Sequence, residues 1–132
     1  MSKSQAREWA LQCLYQWEMA RPVGQSIPDQ YQQHFQEGQK APAYFRQLVE
    51  GVQAHQVELD ALITRFAEHW RLERMTVIDR NILRLATFEL LYVPQVPPKA
   101  AINEAVELAK RYGTEDSAAF INGILDRIWK AR

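Results

Sequence analysis

The sequence predicts an all-α fold, a compact bundle of about seven helices, and three observations carry that expectation. Apolar residues recur at spacings of three and four along most of the chain, no segment alternates over the length of a strand, and five glycines leave little material for hairpins. At 132 residues, with 47% hydrophobic and 24% charged side chains, the chain has the size and composition of one domain with one core, spanning residues 1–132. Short connections and the lack of any internal repeat suggest two three-helix sub-bundles packed together.

The first helix is expected over about Ser4 to Met19. Ser2, with Gln5 three residues on, has the spacing of a capping box, and Arg21, Pro22 and Gly24 close the helix. Ser26 and Pro28 open a short second helix to about Glu37, stopped by Gly38. After Pro42, the apolar positions Phe45, Leu48, Val49 and Val52 lead into Leu59, Leu62, Ile63 and Phe66, read as two helices meeting near His55 rather than one bent helix. Thr76, with Asp79 three residues on, caps the most apolar segment, Val77 to Val93, which Pro94, Pro97 and Pro98 terminate. That segment reads as the central buried helix, with Arg80, Arg84 and Thr87 as its narrow polar stripe. Pro98 starts the next helix, where Ile102, Ala105, Val106 and Ala109 fall at helical offsets and Glu107 is set to pair with Arg111. Gly113 as C-cap and Thr114 as N-cap lead into the last helix, whose first turn carries Glu115 and Asp116 and whose core side holds Ile121, Leu125 and Ile128.

Composition narrows the function. Sixteen basic residues balance sixteen acidic ones, so the diffuse attraction behind non-specific nucleic-acid binding is absent, and any affinity for RNA must come from local geometry. No apolar stretch reaches the ~18 residues of a membrane span and no signal-type run opens the chain, so a cytoplasmic location is expected. Cys13 has no second thiol to pair with and fits a buried position in a reducing compartment. His34, His55 and His69 are scattered without metal-ligand spacing, and no glycine loop or nucleophile elbow is present. Neither metal, cofactor nor catalytic residue is expected, which points to a protein that acts by binding.

Two positions stand out. Glu89 falls between Ile82 and Leu85 on the apolar face of the central helix, where a bare carboxylate is costly. It is expected to accept from a basic, amide or backbone donor of a neighbouring helix, with general acid–base work as the alternative. On the first helix, Ala6, Ala10, Cys13 and Trp17 define the core face while Tyr15 points away. With Lys3 and Arg7 near the same helix's start, Tyr15 completes a set that suits single-stranded nucleic acid, although on these residues alone an ordinary solvated face is the preferred reading.

The string MTVIDRNILRLATFELLY from Met75 to Tyr92 and the run INEAVELAKRYGTEDSAAFINGILD from Ile102 to Asp126 resemble the signature of the NusB family. AREWALQCLYQWE from Ala6 and YFRQLVEGV from Tyr44 match in the same order, so the resemblance covers nearly everything except the loop around residues 21 to 43. It implies a small helical bundle that pairs with the small-subunit ribosomal protein NusE and reads the boxA element of ribosomal RNA transcripts. The implied function is transcription antitermination alongside NusA, NusG and RNA polymerase, with help to ribosomal RNA maturation.

Carried over by position, the implied RNA surface comprises Lys3, Arg7, Tyr15, Lys110, Tyr112, Asp116 and Phe120, and the implied NusE contact comprises Asp79, with Arg84 serving either a surface or the core. Phe120 also has a core reading beside Ile121, and Asp116 one as a first-turn carboxylate. The chain departs from the family where some members carry an N-terminal arginine-rich stretch, reduced here to Lys3, Ser4, Gln5 and Arg7. Fewer phosphates can be neutralised, so weak RNA binding without the partner is expected. The alternatives are the related RNA-binding module fused to ribosomal RNA cytosine methyltransferases, although no methyltransferase domain falls within these residues, and a protein–protein adaptor that never touches RNA. Self-pairing of the NusE face into a homodimer stays open.

Overall fold

The computed structural model describes residues 1–20, 42–68 and 70–131. Among them stand five α-helices, α1 (Lys3–Ala20), α2 (Ala43–Phe66), α3 (Val77–Tyr92), α4 (Pro98–Tyr112) and α5 (Ser117–Lys130), with a 3-10 turn at Leu72–Arg74 before α3. The short helix expected up to Glu37, the stop at Arg21 to Gly24, and His34 and His69 lie outside the described residues.

The count departs from about seven for a second reason: residues 43 to 66 form one helix, without the break expected near His55. Phe45, Leu48, Val49, Val52, Leu59 and Ile63 keep one helical phase across that point and are all buried, and no proline or capping residue interrupts them. His55 sits on this helix with its ring stacked on Tyr92 of α3 at 4.2 Å. Beyond Ala67, Glu68 adopts a left-handed backbone with φ 57°, and this turn leads the chain toward the 3-10 segment. Arg127 of α5 caps the end of α2 by donating from Nε and Nη2 to the Phe66 carbonyl at 3.1 and 3.0 Å.

Two helix starts follow the sequence. The Gln5 amide donates to Ser2 Oγ at 3.1 Å, one half of the expected box, and the Asp79 amide donates to Thr76 Oγ1 at 3.1 Å. The last helix starts differently, at Ser117 with Asp116 as its N-cap. Thr114 is not the cap; its amide instead donates to Ser117 Oγ at 2.9 Å. That fold-back explains Gly113, whose backbone is extended, because a Cβ there would lie 2.6 Å from the Ser117 Cβ. Glu107 pairs with Lys110 at 3.5 Å rather than with Arg111, which reaches Glu8 of α1.

Helix α3 is the centre. Asn81 to Leu90 are buried without exception, and the helix touches α1, α2, α4 and α5. One continuous cluster of buried side chains, from Ala6 to Ile128, draws on all five helices, so the described helices share a single core centred on α3. No helix among the described residues is long and apolar enough to cross a membrane.

Candidate nucleic-acid interface

Helix α1 lies against α4 through a ridge of polar residues spaced one turn apart. Ser4 Oγ donates to Glu104 Oε1 at 2.6 Å, Tyr112 Oη donates to Glu8 Oε1 at 2.6 Å, and Gln12 Nε2 donates to Tyr112 Oη at 3.3 Å. Arg111 closes on the other oxygen of Glu8. Tyr15 follows Gln12 by three residues, hence on the same side of the helix, and is 37% exposed. Two of the carried-over positions, Tyr15 and Tyr112, which come from opposite ends of the sequence, are thereby brought onto one flank. Lys110 is exposed nearby in α4, and Lys3 is exposed at the start of α1 with its ammonium 5.2 Å from the centre of the Tyr44 ring.

Arg7 departs from the expected surface role. It is only 5% exposed, its Nε donates to both Glu89 oxygens at 2.8 and 3.0 Å, and Nη1 lies 3.6 Å from Glu104. Tyr44 Oη donates to the second Glu89 oxygen. Glu89 is thus the internal acceptor that its position on the wheel demanded, and it binds α1 and α2 to α3. Burial works against the Tyr44 phenolate, and the Glu89 carboxylate adds to it, so the phenol pKa rises well above its ordinary value.

Arg84 is likewise internal, which resolves its two readings in favour of the core. Its Nε and Nη2 form a fork on Asp60 at 2.7 and 3.0 Å, and Nη1 reaches Glu18 at 2.8 Å. Arg80 Nε meets the same Glu18 at 2.7 Å. The supposed polar stripe of α3 is therefore an ion network joining α1, α2 and α3. Burial alone would raise the Glu18 pKa, yet the hydrogen bonds and charges of Arg80 and Arg84 outweigh it and hold the carboxyl below its usual range.

The remaining carried-over residues meet in a cleft of about 240 Å³. Asp79 from the first turn of α3, Asp116 from the N-cap of α5 and Phe120 one turn further on all line it, together with Trp70 and Arg74. Phe120 is half-buried and does both things the sequence allowed, lying against the core and presenting its ring to the cleft. Asp79 and Asp116, assigned from the sequence to different partners, share this one concavity.

Sequence reasoning missed Trp70, Glu8, Glu18 and Tyr44. A tryptophan between a helix end and two arginines, in Trp70-Arg71-Leu72-Glu73-Arg74, was a legible signal. Glu8 and Glu18 gave none, because a carboxylate on an amphipathic helix reads as solvated until its partner is known.

The comparisons agree with this geometry. The family model described as NusB family matches residues 4–130. The chain is 51% identical over 126 residues to the transcription antitermination protein NusB of Myxococcus xanthus, covering 92% of this chain and 90% of that one. It is 43% identical over 128 residues to the same-named protein of Bacillus velezensis, covering 97% and 95%. Among solved structures, T. maritima NusB superposes with a TM-score of 0.87 at 39% identity, covering 98% of this chain and 92% of that one. A crystal structure of the antitermination factors NusB and NusE in complex with dsRNA gives 0.82 at 26% identity, with both chains covered completely.

Proposed function

The chain belongs to the NusB family, and from that premise we propose that it is a transcription antitermination factor which binds boxA RNA of ribosomal RNA transcripts as a heterodimer with NusE. The observation that carries the reading is that Gln12 of α1 bonds Tyr112 of α4 and the exposed Tyr15 lies three residues further on, which puts both rings on one flank, while Asp116 and Phe120 line a cleft. An exposed aromatic ring offers a stacking face to an unpaired base, while backbone amides and hydroxyls at two helix starts offer hydrogen bonds to a strand laid across them. A neighbour of the same fold is seen together with NusE and dsRNA, which supports the choice of partners.

The chain works without catalysis of its own, in the cytoplasm, as one part of a larger complex with NusA, NusG and RNA polymerase. Lys3, Tyr15, Lys110, Tyr112, Asp116 and Phe120 face the RNA; Asp79 lies at the boundary with NusE; Arg7 and Arg84 act from inside by fixing α1 and α3. The residues act as one domain.

Co-elution with NusE and retention of boxA RNA over a scrambled strand test the reading. Tyr15→Ala should weaken RNA retention about 5- to 150-fold, the range for loss of one stacked base, and leave NusE capture intact. A protein adaptor that ignores RNA would bind NusE but show no preference between the strands, and that result would overturn the proposal.

A further inference from the structure

The cleft beside α5 contains more chemistry than the family's residues use. Trp70 is 53% exposed and its ring meets Phe120 edge-on, with centroids 5.8 Å apart and planes at 74°. Asp79 forms a wall yet is only 8% exposed, and its Oδ1 has no hydrogen-bond partner. The positive end of α3 offsets the charge of Asp79 but leaves that lone pair empty, an arrangement that calls for a donor from outside. Asp116 supplies a second carboxylate wall.

A donor could arrive on a cationic side chain or on a nucleobase. The lining decides between them, because Arg74 is part of it and Arg71 adjoins the lining Trp70 in sequence; both are exposed and neither is engaged by a carboxylate among the described residues. Two guanidinium groups repel an incoming cation and attract phosphate. At ~30 Å³ per water, the cleft of about 240 Å³ holds roughly eight waters, room for one planar heterocycle.

We propose that this cleft receives one unstacked RNA base carrying an exocyclic amine. Trp70 and Phe120 provide its apolar slot, Asp79 and Asp116 accept from the amine, and Arg71 and Arg74 hold the flanking phosphates. Adenine, cytosine and guanine all bring such a donor, whereas uracil, whose single N3–H is flanked by two carbonyl oxygens, sets those oxygens against the carboxylates and binds less tightly. The inference rests on the RNA-binding reading above and adds Trp70, Arg71, Arg74 and Asp79 to the RNA surface.

The test uses the full chain with NusE and fluorescence anisotropy on a 12-nucleotide oligouridine, alone or with one central cytidine, adenosine or guanosine. The substituted strands should bind about 5-fold tighter or better than oligouridine. Trp70→Ala should weaken every strand about 5- to 150-fold, and the near-isosteric Asp79→Asn should erase the preference over uridine, since an amide can donate to a carbonyl. Unchanged circular dichroism confirms that each variant is folded, and the affinities are read at NusE concentrations that saturate capture, since Asp79 itself lies at the boundary with NusE. If the parent pair retains boxA RNA but both variants bind all strands as the parent does, this inference fails alone; if the parent pair retains no RNA, it falls together with the proposed function. Loss of NusE capture by Trp70→Ala, with RNA affinity unchanged, would assign the cleft to the protein partner and overturn the inference.

Discussion

Replacing Glu89 by leucine removes the acceptor at the junction of three helices, and its consequence follows from the contacts it makes. Glu89 is 2% exposed and receives two hydrogen bonds from Arg7 and one from Tyr44. Breaking a buried pair by deleting one partner costs about 3–5 kcal/mol, because the surviving charge stays buried without compensation. Glu104, 3.6 Å from Arg7 and a third exposed, retains part of the compensation, and the half-buried Tyr44 hydroxyl can turn to water. The loss should therefore sit near about 3 kcal/mol, which for a chain of this size lowers the melting temperature by about 10 °C. Urea denaturation followed by circular dichroism at 222 nm measures it. The triple variant Arg7→Met, Tyr44→Phe, Glu89→Leu replaces the network with apolar groups of similar shape and should regain at least about 2 kcal/mol over the single change. A loss below about 1 kcal/mol for Glu89→Leu, or a triple variant no more stable than the single one, would show that the network does not bear on folding as argued.

Four further outcomes follow from the interior. Burial pushes the Cys13 thiol up to about 12, so its contribution to stability is complete below the unfolded thiol's pKa and is lost as pH rises toward 12; Cys13→Ala should flatten that alkaline limb of an unfolding series. Tyr44, raised in the same direction, adds to the limb at higher pH and is followed through Tyr44→Phe. Glu18 is held below the usual carboxylate range, so its contribution is present above that range and lost as pH falls through the depressed value; Glu18→Gln should lower stability at neutral pH and reduce the acid-side slope. A methyl group at Gly51 would run into the Phe88 ring where α2 meets α3, so Gly51→Ala should destabilise by about 1–3 kcal/mol in the same urea assay.

Much of this fold was legible because its determinants are local. The caps at Ser2 and Thr76, the proline start of α4 and the burial of α3 all depend on residues within one or two turns of each other. The misreadings share the opposite character. The break expected near His55 falls where no buried side chain lies between Val52 and Leu59, yet a helix with one face already committed to the core runs through such a lull. Thr114 looked like a cap because the role of Ser117, which turns back on the Thr114 amide, depends on a geometry that spacing alone does not specify. Arginines were the hardest to place: Arg7, Arg80 and Arg84 have the same helical spacing to their neighbours as solvated residues, and only the approach of Glu89, Glu18 and Asp60 from other helices takes them inside.

That internal use of charge has a measurable consequence for RNA binding. An arginine already bound to a buried carboxylate has no counterion atmosphere to exchange with a phosphate, so Arg7, Arg80 and Arg84 drop out of the electrostatic count. Among the described residues, the exposed cations on or beside the proposed RNA surface that no neighbouring helix already holds are Lys3, Arg71, Arg74 and Lys110, of which Lys110 leans on Glu107, while Arg111 is held by Glu8. With about four phosphates neutralised at roughly 0.7 per contact on a single strand, the plot of log K against log salt for the chain without its partner should be no steeper than about −3. A titration of a single-stranded RNA between low and moderate salt measures the slope directly. A value of about −5 or steeper would refute this count, and a slope that then fell back in an Arg84→Met variant would show that an arginine of the interior leaves its carboxylates to meet phosphate.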